Sequence, residues 1–358
     1  MQAQLEQPVY QAIASDLRER ISAKHLPGDL LPSENDFSAQ YSVNRHTIRH
    51  ALDLLARENI ISRHHRRGSI VLDRKAVGEF AVVLRPQLLN ADAHPVYNLL
   101  NGLLIKLLQE RNPRWRVKFH VGKITEIGEQ FPVTLDLLAP DVLRNLRGVF
   151  TFHDLYEVAP QLQAAKVPVV GLGNRGAARV GCDMAASYAL GLAHLKEVGC
   201  KTVGMIWVAL SEQYAPTHHS MVFFRRAAET CGFEVRPEWT MPYISTCLTE
   251  QQGYELMTRL WKNRTHPDGI LVVDDILCRG VLRAALQLGM EFPRDARLVT
   301  QANRGIALNY HKPVSRVESD PAEQARLAVD MMLTLVEGRT PSPATIDLPG
   351  VLIKAETT

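Results

Sequence analysis

The sequence predicts an α/β protein in which a small helical domain with a β-hairpin precedes a larger domain of parallel sheets. Helix start signals and an apolar hairpin pattern fall within the first 74 residues. From Phe80 onward, apolar runs of strand length alternate with segments of helical spacing, which is typical of parallel sheets covered by helices. A chain of 358 residues is too long for one small module, so we expect more than one domain.

Three helices are predicted in the first domain. The first runs from Pro8 to Ser22. The second begins after Ser33, which can cap free N–H groups and has Asp36 three residues on, as in a capping box. The third begins at Asn44, and its spacing predicts a buried stripe of Ile48, Ala51, Leu52 and Leu55.

Polar and basic residues dominate the exposed start of the third helix: Asn44, Arg45, His46, Thr47 and Arg49. An arginine fork can bind guanine and an amide can bind adenine, while neighbouring groups hold phosphates. The apolar pairs 60–61 and 70–71 predict a hairpin, and its tip carries His65, Arg66, Arg67 and Gly68. An isolated basic run is usually only a solvated turn. Beside such a helix, it indicates the wing of a DNA-binding domain.

These residues resemble the winged helix-turn-helix domain of the GntR family of bacterial regulators. The matching passages are Pro8-Val9-Tyr10, Leu26-Pro27-Gly28-Asp29, Leu31-Pro32-Ser33-Glu34, 43–49 and Arg67-Gly68-Ser69. The resemblance implies that Arg45 and Arg49 contact DNA, that Thr47 reaches phosphate and that the wing touches the minor groove. Ser33 and Glu34 join the predicted interface, where Glu34 is expected to orient an arginine or to favour the N-terminus of its helix rather than to touch a base. Asn35 and Arg66 depart from the family pattern, where Arg and Gly are usual.

Composition argues against several other kinds of protein. The net charge of +3 is only mildly basic, so DNA affinity requires a local patch. Five widely spaced cysteines without a Cys-x-x-Cys pair predict reduced thiols, and no membrane or signal segment is recognised, which predicts a cytoplasmic protein. The adjacent pairs His64-His65 and His218-His219 are a poor geometry for one metal ion. Phosphate-binding loops and serine-hydrolase elbows are lacking, so we expect neither an enzyme nor a cofactor.

After a linker at 75–79, strands and helices are predicted to alternate through 80–358. The predicted strands are 80–84, 117–121, 135–138 continuing into 148–152, 167–171, 202–207, 234–239, 269–273 and 297–300. The predicted helices are 96–109, 158–165, 184–198, 221–231, 253–262 and 277–288. This is too much sheet for a single nucleotide-binding unit.

Residues 80–358 resemble the effector domain of LacI/GalR-family repressors, which has the two-lobed fold of periplasmic sugar-binding proteins. The matching passages are 167–170, 180–183, 194–195, 198–200, 267–270, 274–275, 313–314, 320–321 and 337–339. The resemblance implies one lobe of about 80–178 and 304–338, and a second of about 179–303 and 339–358. A GntR-type head on this body is similar to the arabinose-repressor subfamily. It implies dimerisation and carbohydrate sensing.

Polar residues at strand ends are the predicted ligand contacts, because ligands of open α/β sheets lie beyond the carboxyl ends of the strands. They are Arg85, Asn174, Arg175, Asp274, Asp275 and Asn303. Asp275 equally suits a helix cap, and the two arginines equally suit surface loops. Ser220 falls where the LacI-type proteins carry an arginine that grips the sugar. An ordinary monosaccharide pose is therefore not expected.

The sequence thus predicts a dimeric repressor that binds a near-palindromic operator in double-stranded DNA, under control of a sugar or sugar derivative. Two alternatives stay open. A DNA-binding protein with a vestigial or non-sugar cleft would not respond to sugars. A pyridoxal-dependent enzyme fused to a GntR-type head would carry a bound chromophore, and the repeated short strand–helix units argue against it.

Overall fold

A computed structural model describes residues 8–24, 28–58, 60–64, 68–72, 78–84, 94–121, 135–152, 159–173, 176–245 and 247–358. Within these ranges, no helix combines the length and the apolar character needed to cross a membrane.

The head is a three-helix domain with a two-stranded antiparallel hairpin. Its elements are α1 (Val9–Lys24), α2 (Glu34–Tyr41), α3 (Arg45–Arg57), β1 (Ile61–His64) and β2 (Gly68–Val71). The capping box of Ser33 and Asp36 is confirmed, and so is the buried stripe of α3. That stripe packs on α1 and on Phe37 of α2, which is 1% exposed. The polar first turn of α3 is therefore left on the surface.

Six parallel strands form the sheet of the first lobe, in the order β14-β7-β6-β5-β3-β4. They are β3 (Glu79–Leu84), β4 (Arg116–Val121), β5 (Leu146–Thr151), β6 (Val169–Leu172), β7 (Arg179–Cys182) and β14 (Thr345–Leu348). Its helices are α4 (Pro95–Arg111), α5 (Pro140–Asn145), α6 (Ala159–Ala164) and α11 (Pro321–Val336). Alternate residues of β3 pack into cores on opposite faces, as a buried parallel strand requires.

The second lobe contains a five-stranded sheet in the order β15-β13-β12-β11-β8, parallel except for β15. Its strands are β8 (Val203–Ile206), β11 (Gly269–Val272), β12 (Arg297–Asn303), β13 (Arg316–Ser319) and β15 (Val351–Ile353). Helices α7 (Met184–Glu197) and α8 (His219–Thr230) pack together, and so do α9 (Glu250–Trp261) and α10 (Asp275–Gln287). Two short strands, β9 (Val208–Ala209) and β10 (Tyr243–Ile244), pair beside this sheet.

Three short crossings connect the two sheets, at Asp183, at Asp320 and at 349–350. Gly350 is required at the last crossing, because a Cβ there would lie 2.6 Å from Val317 Cγ1 and 2.7 Å from Ser187 Oγ. Three strands next to the crossings belong to the opposite lobe from the one predicted. Strands β7 and β14 lie in the first sheet, and β13 lies in the second.

One predicted strand, 234–239, is wrong, and so is the first part of another, 135–138, whereas its second part, 148–152, overlaps β5. Residues 234–239 contribute one isolated bridge, from Glu234 to Thr202, and then a 3-10 turn at Pro237–Trp239, where proline cannot donate a ladder hydrogen bond. Leu135–Leu138 is also a 3-10 helix, and it leads through Ala139 into α5. A short apolar run marks a buried segment, but it does not separate a strand from a helical turn.

Candidate functional sites

The exposed face of the head is organised around Glu34, the first residue of α2. Its carboxylate accepts hydrogen bonds from Arg49 at 3.0 and 3.3 Å and from Arg45 at 3.3 Å, and it pairs with Arg63 of β1. Arg63 also pairs with Asp53. Hydrogen bonding to Arg49 is the largest cause that holds the pKa of Glu34 below its ordinary 4.5, so the carboxylate is charged at neutral pH. One carboxylate therefore gathers arginines from the helix and the wing.

The arginines of α3 remain available to a partner despite this contact. The side chain of Arg45 is 59% exposed and that of Arg49 is 51% exposed, and His46 is exposed beside them. Asn44 caps α3, since its Oδ1 accepts the backbone N–H of Thr47 at 2.8 Å and the Thr47 hydroxyl at 3.0 Å. The cap uses the oxygen of Asn44, so Nδ2 is the group that it can offer to a base. The DNA contacts of these residues stay predictions.

Gly68 begins the second strand of the wing in a left-handed conformation, with φ of +85°. A Cβ at this position would lie 3.0 Å from Leu30 Cδ1, so glycine lets the strand approach the turn before α2. His65, Arg66 and Arg67, which were also predicted to touch DNA, lie outside the described residues. Arg63 of β1 is not among the predicted contacts, and its pairing with Glu34 makes it a further candidate.

A second polar cluster lies between the two lobes, at the carboxyl ends of β11 and β12. Asp274 caps α10 by accepting the Ile276 N–H at 2.8 Å. Asp275 is fully buried, and its Oδ2 accepts the backbone N–H and the Nδ2–H of Asn303, both at 2.9 Å. Three of the predicted ligand residues are thus brought together. The cap belongs to Asp274, and Asp275 faces the first lobe.

His94 is the residue of this cluster that the sequence analysis missed. It precedes Pro95 at the start of α4 in the first lobe, and it is 5% exposed. Its Nε2 lies 2.8 Å from Asp275 Oδ1 and 3.0 Å from Asp274 Oδ1. Neither oxygen is aligned with Nε2 as in an ideal hydrogen bond, as expected for one donor shared between two acceptors. His94 therefore joins the lobes through both carboxylates.

The protonation of His94 follows from its surroundings. Burial by itself would lower the pKa of the imidazole, but the charges and hydrogen bonds of Asp274 and Asp275 outweigh burial and raise the pKa to about 10. Its Nδ1 lies 3.1 Å from the Val96 N–H and accepts it when the ring is neutral. When Nδ1 also binds a proton, the ring loses the hydrogen bond from the Val96 N–H and becomes a cation beside the two carboxylates. Nε2 carries a hydrogen in both states.

His94, Asp274 and Asp275 could in principle hold a metal ion, because one ligand atom from each lies within 4.8 Å of the others. The arrangement fits a metal poorly. A metal would have to displace the hydrogen from Nε2, and it would compete with the Ile276 N–H for Asp274 Oδ1. Asp275 also has one oxygen already committed to Asn303. The cluster is better described as an imidazole held by two carboxylates.

Ser220 lies in the first turn of α8 and is 6% exposed. Its backbone N–H is bonded to His218 Nδ1 at 3.2 Å. Aromatic rings surround this end of the helix, with Trp207 5.5 Å from His218 and Phe223 6.2 Å from Tyr188 between ring centroids. The wall at the Ser220 position is thus built from rings. Arg85, Asn174 and Arg175 lie outside the described residues.

Both parts of the chain match known families. Residues 9–71 match the bacterial regulatory proteins of the gntR family, and residues 192–358 match the periplasmic binding protein-like domain. The chain therefore contains a segment similar to gntR-family regulatory proteins and, after it, a segment similar to periplasmic binding protein-like domains.

Individual relatives match one part or the other. The HTH-type transcriptional repressor PurR of Haemophilus influenzae (strain PittEE) is 24% identical over 140 residues, which are 39% of this chain and 40% of the relative. The probable transcriptional regulator PhnF of Escherichia coli (strain K12) is 38% identical over 65 residues, 18% of this chain and 27% of the relative. The chain thus spans less than half the length of these relatives.

Solved structures confirm the fold of the body. A LacI family transcriptional regulator from Arthrobacter sp. FB24, in complex with lactose, superposes with a TM-score of 0.62 at 18% identity. The match covers 79% of this chain and 100% of that one. At this identity the likeness shows the two-lobed α/β fold and nothing finer.

Proposed function

We propose that the protein is a DNA-binding transcription repressor whose operator affinity is controlled by a small ligand in the cleft between the lobes. One observation carries the proposal: a single chain joins an exposed arginine face on α3 to a two-lobed body with a buried polar cluster between its lobes. Arg45 and Arg49 suit guanine and phosphate, and the cluster suits a polar ligand. DNA binding would place the protein in the cytoplasm.

The predicted homodimer fits this role. One gntR-type head exposes few arginines, and two heads that read half-sites of a near-palindrome would multiply their affinity. The names of the relatives, which are transcriptional regulators and repressors, support this use of the fold and point away from an enzyme. The lactose-bound neighbour supports a sugar or sugar derivative as ligand.

A contact between head and body supports coupling between the two functions. Glu58, at the C-terminal end of α3, is 6% exposed and accepts two hydrogen bonds from Arg18, at 2.8 and 2.9 Å. Arg144 of α5, in the first lobe, lies 4.0 Å from the same carboxylate. A shift of the first lobe would therefore act on the far end of the helix proposed to contact bases.

The test is selection of DNA by the full-length chain from a random duplex library, followed by fluorescence anisotropy on the enriched sequence. We expect a near-palindromic site with half-sites about one helical turn or a multiple apart. A library that stays unenriched after repeated rounds would contradict sequence-specific binding.

A second candidate function is favoured by Ser220, which lacks the donors of an arginine at the corresponding position. It is a DNA-binding protein whose cleft does not take sugars. Thermal shift of the full-length chain against sugars, sugar acids and sugar phosphates separates the two. A ligand at about 100 times its Kd stabilises by about 2.7 kcal/mol. A flat response from the sugars supports the second candidate.

A further inference from the structure

The first lobe contributes one rigidly held side chain to the polar cluster of the second lobe. Pro95 fixes the first turn of α4, and Nδ1 of His94 lies 3.1 Å from the Val96 backbone nitrogen, which is a hydrogen bond in the neutral ring and a packing contact in the protonated one. Because Nδ1 is turned toward α4, Nε2 is the atom presented to the other lobe. The ring is also packed against Tyr97, with 6.0 Å between centroids. His94 is thus preorganised to reach across the cleft.

The second lobe holds its carboxylates in place without help from His94. Asp274 is oriented by the helix cap, and Asp275 by its two hydrogen bonds from Asn303. The remaining oxygen of Asp275, Oδ1, is buried and has His94 Nε2 as its neighbour at 2.8 Å. An isolated buried carboxylate is costly, so a closed cleft requires a partner for this oxygen.

The cluster is also connected to the crossings between the lobes. Asn303 Oδ1 accepts a hydrogen bond from Ser319 Oγ at 2.8 Å, and Ser319 is the last residue before the crossing at Asp320. Strand β12 pairs with β13 at the same place, Asn303 opposite Ser319. Whatever group binds Asp275 is therefore linked through Asn303 to the backbone about which the lobes would move.

We infer that His94 is a latch that holds the lobes closed. In the closed cleft its Nε2–H occupies the place that a hydrogen-bond donor of the effector would take. An effector that replaces His94 therefore carries a cationic N–H group. The reason is charge. One imidazole stands against two carboxylates, and a neutral hydroxyl in its place would leave two like charges side by side, one of them buried. An amine, an amidine or a protonated ring nitrogen restores the balance. The effector part of this inference rests on the proposed function, whereas the latch does not.

The experiment removes the imidazole and supplies it again as a small molecule. His94→Ala in the full-length chain is compared with wild type by small-angle scattering and thermal shift, with imidazole added at about pH 6, below the ordinary histidine pKa of about 6.5, so that the added ring is mostly protonated. We expect a larger radius of gyration and a lower Tm. Imidazole at constant ionic strength should recover at least half of both changes.

Two controls separate the latch from a general effect of deleting a buried histidine. His194→Ala removes a ring that is 4% exposed and whose Nε2 lies 2.9 Å from the Thr358 hydroxyl, within the second lobe. This variant should lower the Tm without enlarging the radius of gyration, and added imidazole should not restore its Tm. Pyrazole has the shape of imidazole but is neutral at this pH, and it should rescue His94→Ala at least tenfold less effectively.

Several results would overturn the inference. An unchanged radius of gyration in His94→Ala removes the latch. Equal rescue by pyrazole removes the requirement for positive charge. Stabilisation of wild type by Zn²⁺ that is lost in Asp275→Asn would instead make the cluster a metal site. If His94→Ala fails to fold, His94→Gln replaces it, with an enlarged radius expected and an unchanged radius again removing the latch.

DNA binding is measured separately on the same variants, so the two proposals can fail independently. Lobes that open in His94→Ala with unchanged operator affinity would keep the latch and contradict ligand control of DNA binding. Lost operator affinity without opening would contradict the latch and leave the proposed function intact.

Discussion

The two charged clusters of this protein, around Glu34 in the head and around Asp275 in the cleft, differ in the sign of their excess charge and in their burial. In the head, three arginines face Glu34 and Asp53, and two of those arginines are more than half exposed. In the cleft, one imidazole faces two carboxylates, and both His94 and Asp275 are buried.

The difference indicates which kind of partner each cluster can bind and how costly it is to break the ion pairs within each cluster. The head presents surplus cations to solvent, where ion pairs are weak and screened by salt, so they can be exchanged for phosphates and bases. The cleft presents surplus carboxylate away from water, where losing a partner is costly. The head cluster therefore suits a polyanion, and the cleft cluster suits a small ligand that donates hydrogen bonds.

The largest effect expected from this comparison is on stability. Asp275→Ala should destabilise the body by about 3 kcal/mol or more, because it removes the buried one of the two carboxylates beside His94 and the acceptor of both hydrogen bonds that Asn303 donates. Urea unfolding followed by tryptophan fluorescence measures this, since all four tryptophans (Trp115, Trp207, Trp239 and Trp261) lie in the body. Asp53→Ala in the head, followed by circular dichroism, should cost less than about 1 kcal/mol. An equal loss of unfolding free energy in Asp275→Ala and Asp53→Ala would mean that burial does not make the cleft cluster more strongly held than the head cluster.

The next effect is on DNA binding. Arg45→Ala should weaken binding to the selected operator by about 1–3 kcal/mol and relax base choice at one position, because its guanidinium is placed to read a base edge. Arg57→Ala is the matched control, since it removes the same charge from the exposed far end of α3. Anisotropy on operator and on random duplex gives both affinities. If Arg45→Ala weakens both equally, Arg45 holds phosphate and does not read bases.

The head was more predictable from sequence than the cleft, for a physical reason. Caps and the apolar stripe of α3 are local signals, and they place Asn44, Arg45 and Arg49 without knowledge of the rest of the chain. His94 and Asp275 are far apart in sequence and meet only through the packing of two lobes. The lobe limits near β7, β13 and β14 depend likewise on crossings that have no local composition signal.

A third effect appears in the pH dependence of stability. The pKa of His94 is about 10 in the folded protein and ordinary, about 6.5, in the unfolded chain. Its stabilising contribution should be complete below pH 6.5 and should be lost as the pH rises toward 10, by at most about 1.4 kcal/mol per pH unit. Urea unfolding of wild type and His94→Ala across this window measures the difference. A difference that stays constant, or that grows with pH, would contradict an imidazolium held by two carboxylates.

The smallest effect concerns Glu34. Glu34→Gln should change the stability of the head by less than about 1 kcal/mol, and about 1 M salt should abolish most of the difference, because the Debye length there is about 3 Å. On DNA the same substitution should act in two directions. Arg45, Arg49 and Arg63 lose the carboxylate that neutralises and orients them. Affinity for random duplex should therefore rise while discrimination between operator and random duplex falls. An equal gain on both duplexes would mean that Glu34 only offsets charge, and that the packing of α3 by itself positions the arginines.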